Sequence, residues 1–386
     1  MHAPTLARKT DRPLQRATDA DAALQSVSDP YGLLDNCLAP SGSAGGKSPS
    51  VTNNSVMLTN TPAGAEPDLV FGAVNFSDAH AVCGNQVSMT GGTVRDEVYG
   101  AFHWLINGDT LVDNNSVTIG GGMLKFVAGG MARSDNAGHA TAAGNSVIVS
   151  GGTFDNSIVG GEADSDCEGN AIASGNAVVI HGGTFRGSIY GGCAWSYSGS
   201  AVASNNAVKI SGAPNLASAW LCGGGIQHGG SGARVSANNT LQMSCAGLTV
   251  FGLSGFQMFN FRLPAHLAAG ATVLTVTNTA DIGKDAVFGM SVSPGLALRT
   301  GDAFTLIEAG AGALIGNVAA AARFGTLGGY CYAIGQDGNK LVLKIGAPAA
   351  ADAWQRGKGG EGWAAGVPAP GKPRIKTTPP FPLQHP

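Results

Sequence analysis

Four acidic residues stand close together in the chain: Glu162, Asp164, Asp166 and Glu168. Alternating carboxylates can supply hard oxygen ligands to calcium, and a pair of them can serve as acid and base in glycoside hydrolysis. A catalytic pair needs carboxylates gathered from more than one segment of one face. The residues at the matching phase of the repeat described below are Phe102 and Trp104, Ala132 and Ser134, and Cys193 and Trp195. None is acidic, so the cluster reads as a solvated loop rather than a calcium site or a catalytic pair. His103, His139, His181 and His228 fall at different phases and read as surface or turn residues. Val149-Ser150-Gly151-Gly152 does not match a nucleophile elbow. No catalytic, cofactor-binding or metal-binding residue is assigned, and no enzymatic activity is expected.

Aromatic residues offer a different chemistry. Trp104 and Trp195 each lie nineteen residues after a recurring Asn, and Tyr197 lies close to the second. Rings on a shared face can stack on sugars or on partner side chains. Trp104, Trp195 and Tyr197 are therefore the candidate binding residues, with packing against their own loops as the alternative. They fall in the most variable stretch of each repeat, where a rigid scaffold usually carries its binding groups.

The scaffold follows from internal repetition. Asn recurs at Asn54, Asn85, Asn115, Asn145, Asn176, Asn206 and Asn239, with spacings of 31, 30, 30, 31, 30 and 33. Two residues after each Asn stands Val or Leu, and four residues after stands Leu, Met, Ile or Val. The position between them is mixed, which is the period-2 pattern of a strand with one face buried. A Gly-Gly pair follows, as at Gly151-Gly152 and Gly182-Gly183, and then a second strand entered by Thr153-Phe154 or Thr184-Phe185. Another glycine, such as Gly160 or Gly191, precedes an Ala-rich third segment. Gly151, Gly182 and Gly191 sit at corners where positive φ is the natural expectation.

One such coil cannot bury its inner face, whereas a stack can. The expected fold is all-β: a parallel β-helix, or β-solenoid, of about seven ~30-residue coils with a C-terminal β-rich capping region. The recurring Asn shares the parity of the inward apolar columns, so its amide must be satisfied by its counterparts above and below, as in an Asn ladder. Segments 1–48 and 348–386 read as a mostly disordered start and a flexible tail. Residues 49–245 form the repeat array, and 246–347 the cap that an open β-stack needs.

Composition agrees. Glycine supplies 60 of 386 residues, charged residues only 12%, and apolar residues 44%. That apolar fraction supports a core and argues against general disorder. The net charge of −3 comes without a basic stripe, so nucleic acid is not an expected partner. The first residues carry positive charge but no apolar stretch of signal-peptide type. The seven cysteines form no CxxC pair and read chiefly as small buried residues, with a structural disulfide as the alternative.

The repeat resembles that of bacterial autotransporter passengers and related surface adhesins. The matching text is Asn145 to Phe154 followed by Ile158-Val159-Gly160-Gly161, and Asn176 to Phe185 followed by Ile189-Tyr190-Gly191-Gly192. Phe261-Arg262-Leu263-Pro264, Ala269 to Val276 and Gly301 to Ile307 resemble the region before the translocator barrel of such proteins. The resemblance implies a right-handed β-helix, exported and displayed at the cell surface or outer membrane. It implies host or bacterial surface molecules or glycans as partners, and contact with a membrane only through a translocator barrel. Nothing after residue 347 supplies barrel strands, so the barrel is expected elsewhere or the protein is released. Parallel β-helices also include polysaccharide lyases and hydrolases, so a carbohydrate-active enzyme is the alternative.

Overall fold

The computed structural model describes Cys37–Leu38 and residues 50–349, except 60, 62, 63, 65, 77–80 and 230. The segments expected to be a disordered start and a flexible tail lie almost wholly outside these residues. Within them the chain is a β-solenoid of about eight turns, with parallel strands stacked coil on coil. Val147 pairs with Val117 on one side and Val178 on the other. The same columns run through nine strands, from Ser55–Leu58 to Val287–Val292.

A central coil contains five strands where the sequence pattern indicated three. After Asn145 come Ser146–Val149, Thr153–Phe154, Ile158–Val159, Glu162–Ser165 and Ala171–Ser174. The first three enclose a core of Val, Ile, Leu and Phe, in which Phe154 and Phe185 stack with ring centroids 4.9 Å apart. The last two enclose a separate, narrow lobe lined by alanines such as Ala142, Ala163 and Ala173.

The recurring Asn stands at the waist between core and lobe, fully buried from Asn85 to Asn239. Asn145 donates through its backbone N–H and its side-chain amide to Oδ1 of Asn176, at 2.9 and 3.2 Å. Its second amide hydrogen goes to the carbonyl of Val112 in the preceding coil. Asn176 repeats the pattern toward Asn206 and Ala142. Every polar atom is thus used, and the ladder ends where Gln257 Oε1 accepts the N–H of Asn239. The residue before each ladder Asn, at 53, 84, 114, 144, 175, 205 and 238, has φ between 54° and 70° and is always Asn or Gly. These are the residue types that enter the left-handed region most readily.

Opposite the ladder the waist closes on glycine. A Cβ on Gly130 would lie 2.6 Å from Asn145 Oδ1, and one on Gly192 would lie 2.5 Å from Asn206 Oδ1. One residue earlier, a Cβ on Gly160 would strike the carbonyl of Gly191 in the next coil, and one on Gly191 would come within 2.7 Å of the Gly223 carbonyl. Gly151, Gly182 and Gly191 therefore do not have the positive φ expected of them. Their neighbours Gly152 and Gly183 do, both at 101°. Gly151, Gly182 and Gly191 are glycine because adjacent coils approach too closely for any side chain.

Parallel stacking also runs past residue 245, into the stretch read as a cap. Thr240 pairs with Met258, only eighteen residues on, because the lobe ends with Arg234–Ala237 and later coils lack it. Met258–Leu263 then pairs in parallel with Val287–Val292. Closure comes from Ala303–Ala309, Lys340–Pro348, Tyr330–Asp337 and Phe324–Leu327, paired antiparallel in that order.

The ladder makes a clear demand on stability. Replacing Asn176 with Ala deprives the Asn145 N–H and amide of their acceptor and the Ala142 carbonyl of a donor. At about 1–3 kcal/mol for each buried group left unsatisfied, Asn176→Ala is expected to cost about 3 kcal/mol or more in urea unfolding. Ser174→Ala, at a half-buried position of the same coil, serves as the reference. Equal costs for the two would contradict the ladder's role.

Candidate functional site

Wherever the main wall bends into the lobe wall, outward side chains meet in an inward angle. Tyr99, Phe102, Val159 and Cys193 pack there as an exterior apolar cluster, distinct from both cores. Phe71 and Tyr99 stack at 5.4 Å, and Tyr99 donates its phenol to Glu97 at 2.7 Å. This cluster braces the lobe wall, whose strands in successive coils are Phe102–Asn107, Met131–Ala137, Glu162–Ser165 and Ile189–Ser196.

On that wall Trp104 pairs with Arg133, Arg133 with Asp164, and Asp164 with Trp195. At ~4.8 Å per coil the two tryptophans stand about 14 Å apart in one column. Trp104 is half-buried, with its ring edge-on to Phe76 and Phe102 and the Arg133 guanidinium 5.4 Å from its centroid. It thus packs against Phe102 of its own strand as well as against Phe76 and Arg133 of the neighbouring coils. Trp195 is half-buried at the other end of the column, and Tyr197 beyond it is 55% exposed. Trp104 and Trp195 therefore stand in one column, and Tyr197 follows the end of the strand that carries Trp195.

Arg133 holds the middle. Its Nε lies 2.8 Å from Asp135, its Nη1 3.3 Å from Asp164 and its Nη2 2.5 Å from Asp166. Asp164 is buried, and its Oδ1 accepts no hydrogen bond. The acidic stretch is thus not the solvated loop expected from sequence. Glu162–Ser165 is a strand, and only Glu168 is exposed among the four acids. The inferred neighbours Ala132 and Ser134 were one residue out of phase. Met131 pairs with Glu162, and Arg133 with Asp164.

The missed residue is Arg133, and a signal for it exists. Counted from the waist glycines Gly100, Gly129, Gly160 and Gly191, the fourth residue on is Trp104, Arg133, Asp164 and Trp195. Counting from the ladder Asn fails because the coil after Asn115 is one residue shorter before its waist glycine.

The histidines divide. His103 is fully buried in the lobe, with Nδ1 3.3 Å from the Leu111 N–H, which corrects its reading as a surface or turn residue. Ala132, Ala163 and Ala194 continue its inward column, so His103 takes the place of a small core residue. His139 and His181 are exposed. His139 Nδ1 accepts the Asn170 N–H, and His181 Nδ1 lies 2.6 Å from Ser211 Oγ. Of the six cysteines whose side chains are described, Cys193, Cys222 and Cys331 are buried, and none of the six is in a disulfide. Burial pushes the Cys222 thiol up to about 11, which disfavours a thiolate there. Among the described residues no group of three or more His, Cys, Asp or Glu is arranged to hold a metal ion.

No family profile, no curated protein and no solved structure matches this chain.

The charge imbalance around Arg133 has a measurable consequence. Burial raises Glu162 to about 7 and Asp164 to about 8, against the partial pull of Arg133. The unfolded chain releases these protons near pH 4, while the folded chain keeps them until about 7 to 8. Their contribution to stability is therefore greatest below pH ~4 and falls as pH rises toward 8. Asp164→Asn is expected to be close to neutral at pH 4.5 and stabilising at pH 8, by on the order of 3 kcal/mol. Denaturant melts of both proteins at the two pH values decide it. A difference that does not change with pH would show Asp164 to be ionised throughout.

Proposed function

We propose that this chain is a secreted or surface-displayed passenger of the autotransporter type, with an adhesive role and a glycan as its ligand. Its solenoid is the rigid support, and its ligand face is the lobe wall between Trp104 and Trp195. The observation that carries this reading is the column itself. Two tryptophans flank a charged pair at coil spacing on one outer face, with Tyr197 exposed alongside. Aromatic rings bracketing hydrogen-bonding groups suit a chain of sugar rings, each with an apolar face and a polar rim.

A second reading, a carbohydrate-active enzyme, draws on one feature. Asp135 from one coil and Asp164 and Asp166 from the next converge on Arg133. Glycoside cleavage uses a pair of carboxyls flanking the scissile bond, one of them able to hold a proton.

Titration against a panel of surface glycans tests both. The adhesive reading expects saturable binding, with the glycan recovered intact. It also expects Trp195→Ala to weaken binding by about tenfold, the scale of one lost aromatic contact. Cleavage of the bound glycan, abolished by Asp164→Asn, would instead establish the enzyme. No binding across the panel would overturn the adhesive reading.

A further inference from the structure

The face between the two tryptophans holds more acid than base. Each nitrogen of the Arg133 guanidinium meets a different carboxylate, so one cation serves Asp135, Asp164 and Asp166. Glu162 stands two residues from Asp164 on the same strand. Among the described residues, Arg133 is the only cation acting on Asp164. The side chain of Asp164 is 9% exposed, and its Oδ1 is an acceptor without a donor. Asp135 and Asp166, at 24% and 27%, form an open rim above it.

Such a site calls for a donor that carries positive charge. An ammonium supplies three N–H groups and no acceptor, and it is attracted to the faces of aromatic rings. The site already holds one cation in this manner, since the Arg133 guanidinium lies over Trp104. Further along the column Trp195 pairs with Asp164 on one side and Gln227 on the other, and the Tyr197 N–H donates to the Ser165 carbonyl beside Asp166. Asp164 is therefore adjacent to Trp195 in register, beneath the more exposed rim that Asp166 forms.

Building on the glycan reading above, we propose that this face selects sugars bearing a free amino group over their N-acetylated counterparts. The ammonium would sit against Asp166 at the rim, with Asp164 beneath it giving up its proton to solvent as the cation arrives, and the apolar face of the sugar ring against Trp195. Acetylation removes the charge and two of the three donors, and adds a methyl group where the carboxylates converge.

The test is calorimetric titration of the full chain with a glucosamine hexamer, its N-acetylglucosamine counterpart and hexalysine. The glucosamine hexamer is expected to bind at least about tenfold more tightly than the acetylated one. Asp164→Asn and Asp166→Asn are each expected to reduce that preference below about threefold. Asp166 lies at the half-exposed rim, so its variant remains informative if Asp164→Asn perturbs folding. Equal affinity for the two hexamers would overturn amine selection and leave the glycan reading standing. Binding of hexalysine as tight as the glucosamine hexamer would overturn it too, since charge alone would then suffice. No binding of either sugar, with binding to some other glycan in the panel, would overturn the amine proposal alone. Failure across the whole panel would remove both.

Discussion

The buried asparagine ladder is the constraint on which the structure depends. A column of amides in an apolar waist is tolerable only if every donor and acceptor is used. Here each Oδ1 takes a backbone N–H and a side-chain amide from the coil before. Each amide spends its second hydrogen on a preceding carbonyl. Satisfying these groups fixes the rise, the register and the separation of the two walls together. The waist glycines follow, because the amide leaves no room for a Cβ on the facing residue at Gly130, Gly161 or Gly192. The left-handed residue before each Asn follows too, since the chain must turn sharply to bring the amide inward. Stability is thereby distributed along the stack, each coil depending chiefly on its neighbours.

This waist gives the coil two unequal compartments and an inward angle on its outer surface. The angle is filled by rings such as Tyr99 and Phe102, which hold the lobe wall at a set inclination to the main wall. On the lobe wall, register brings residues about thirty apart in sequence to adjacent rungs. Arg133 and its three carboxylates meet only because two coils are aligned by the ladder beside them. Burial keeps protons on the surplus acid near neutral pH, and among the described residues Arg133 is the only cation acting on Asp164. The arrangement of rings and charges on this face is therefore inherited from a core interaction that never touches solvent.

Much of this was legible in the sequence, and the reason is translational symmetry. Val147 and Val178 repeat because identical environments repeat, so counting Asn residues recovered the coil, the inward columns and the ladder itself. Trp104 and Trp195 were likewise placed on one face by equal spacing. The gaps arose where symmetry is broken. One residue fewer in the coil after Asn115 displaced Arg133 from view and made Glu162–Ser165 resemble a loop. His103 broke the alanine column with a polar side chain, which hid its burial. Beyond Asn239 the lobe vanishes, and the next ladder partner is Gln257, eighteen residues on. The parallel stack therefore continued through a stretch whose period had changed. The glycine corners were located correctly but explained by dihedral preference, when the cause at Gly151, Gly182 and Gly191 is contact with the adjacent coil, which no local sequence window contains.

The most direct test of a ladder-governed register is a distance. Met57 and Lys209 are exposed on one outward column, joined through Ser88, Thr118, Ile148 and Val179. Spin labels at these two positions are separated by five coil steps, about 24 Å at ~4.8 Å each. Pulsed dipolar spectroscopy should give one narrow distribution near that value in the otherwise native chain. It should broaden when Asn145 is replaced by Ala. A broad distribution in the native ladder, or a narrow one that survives its interruption, would contradict the account.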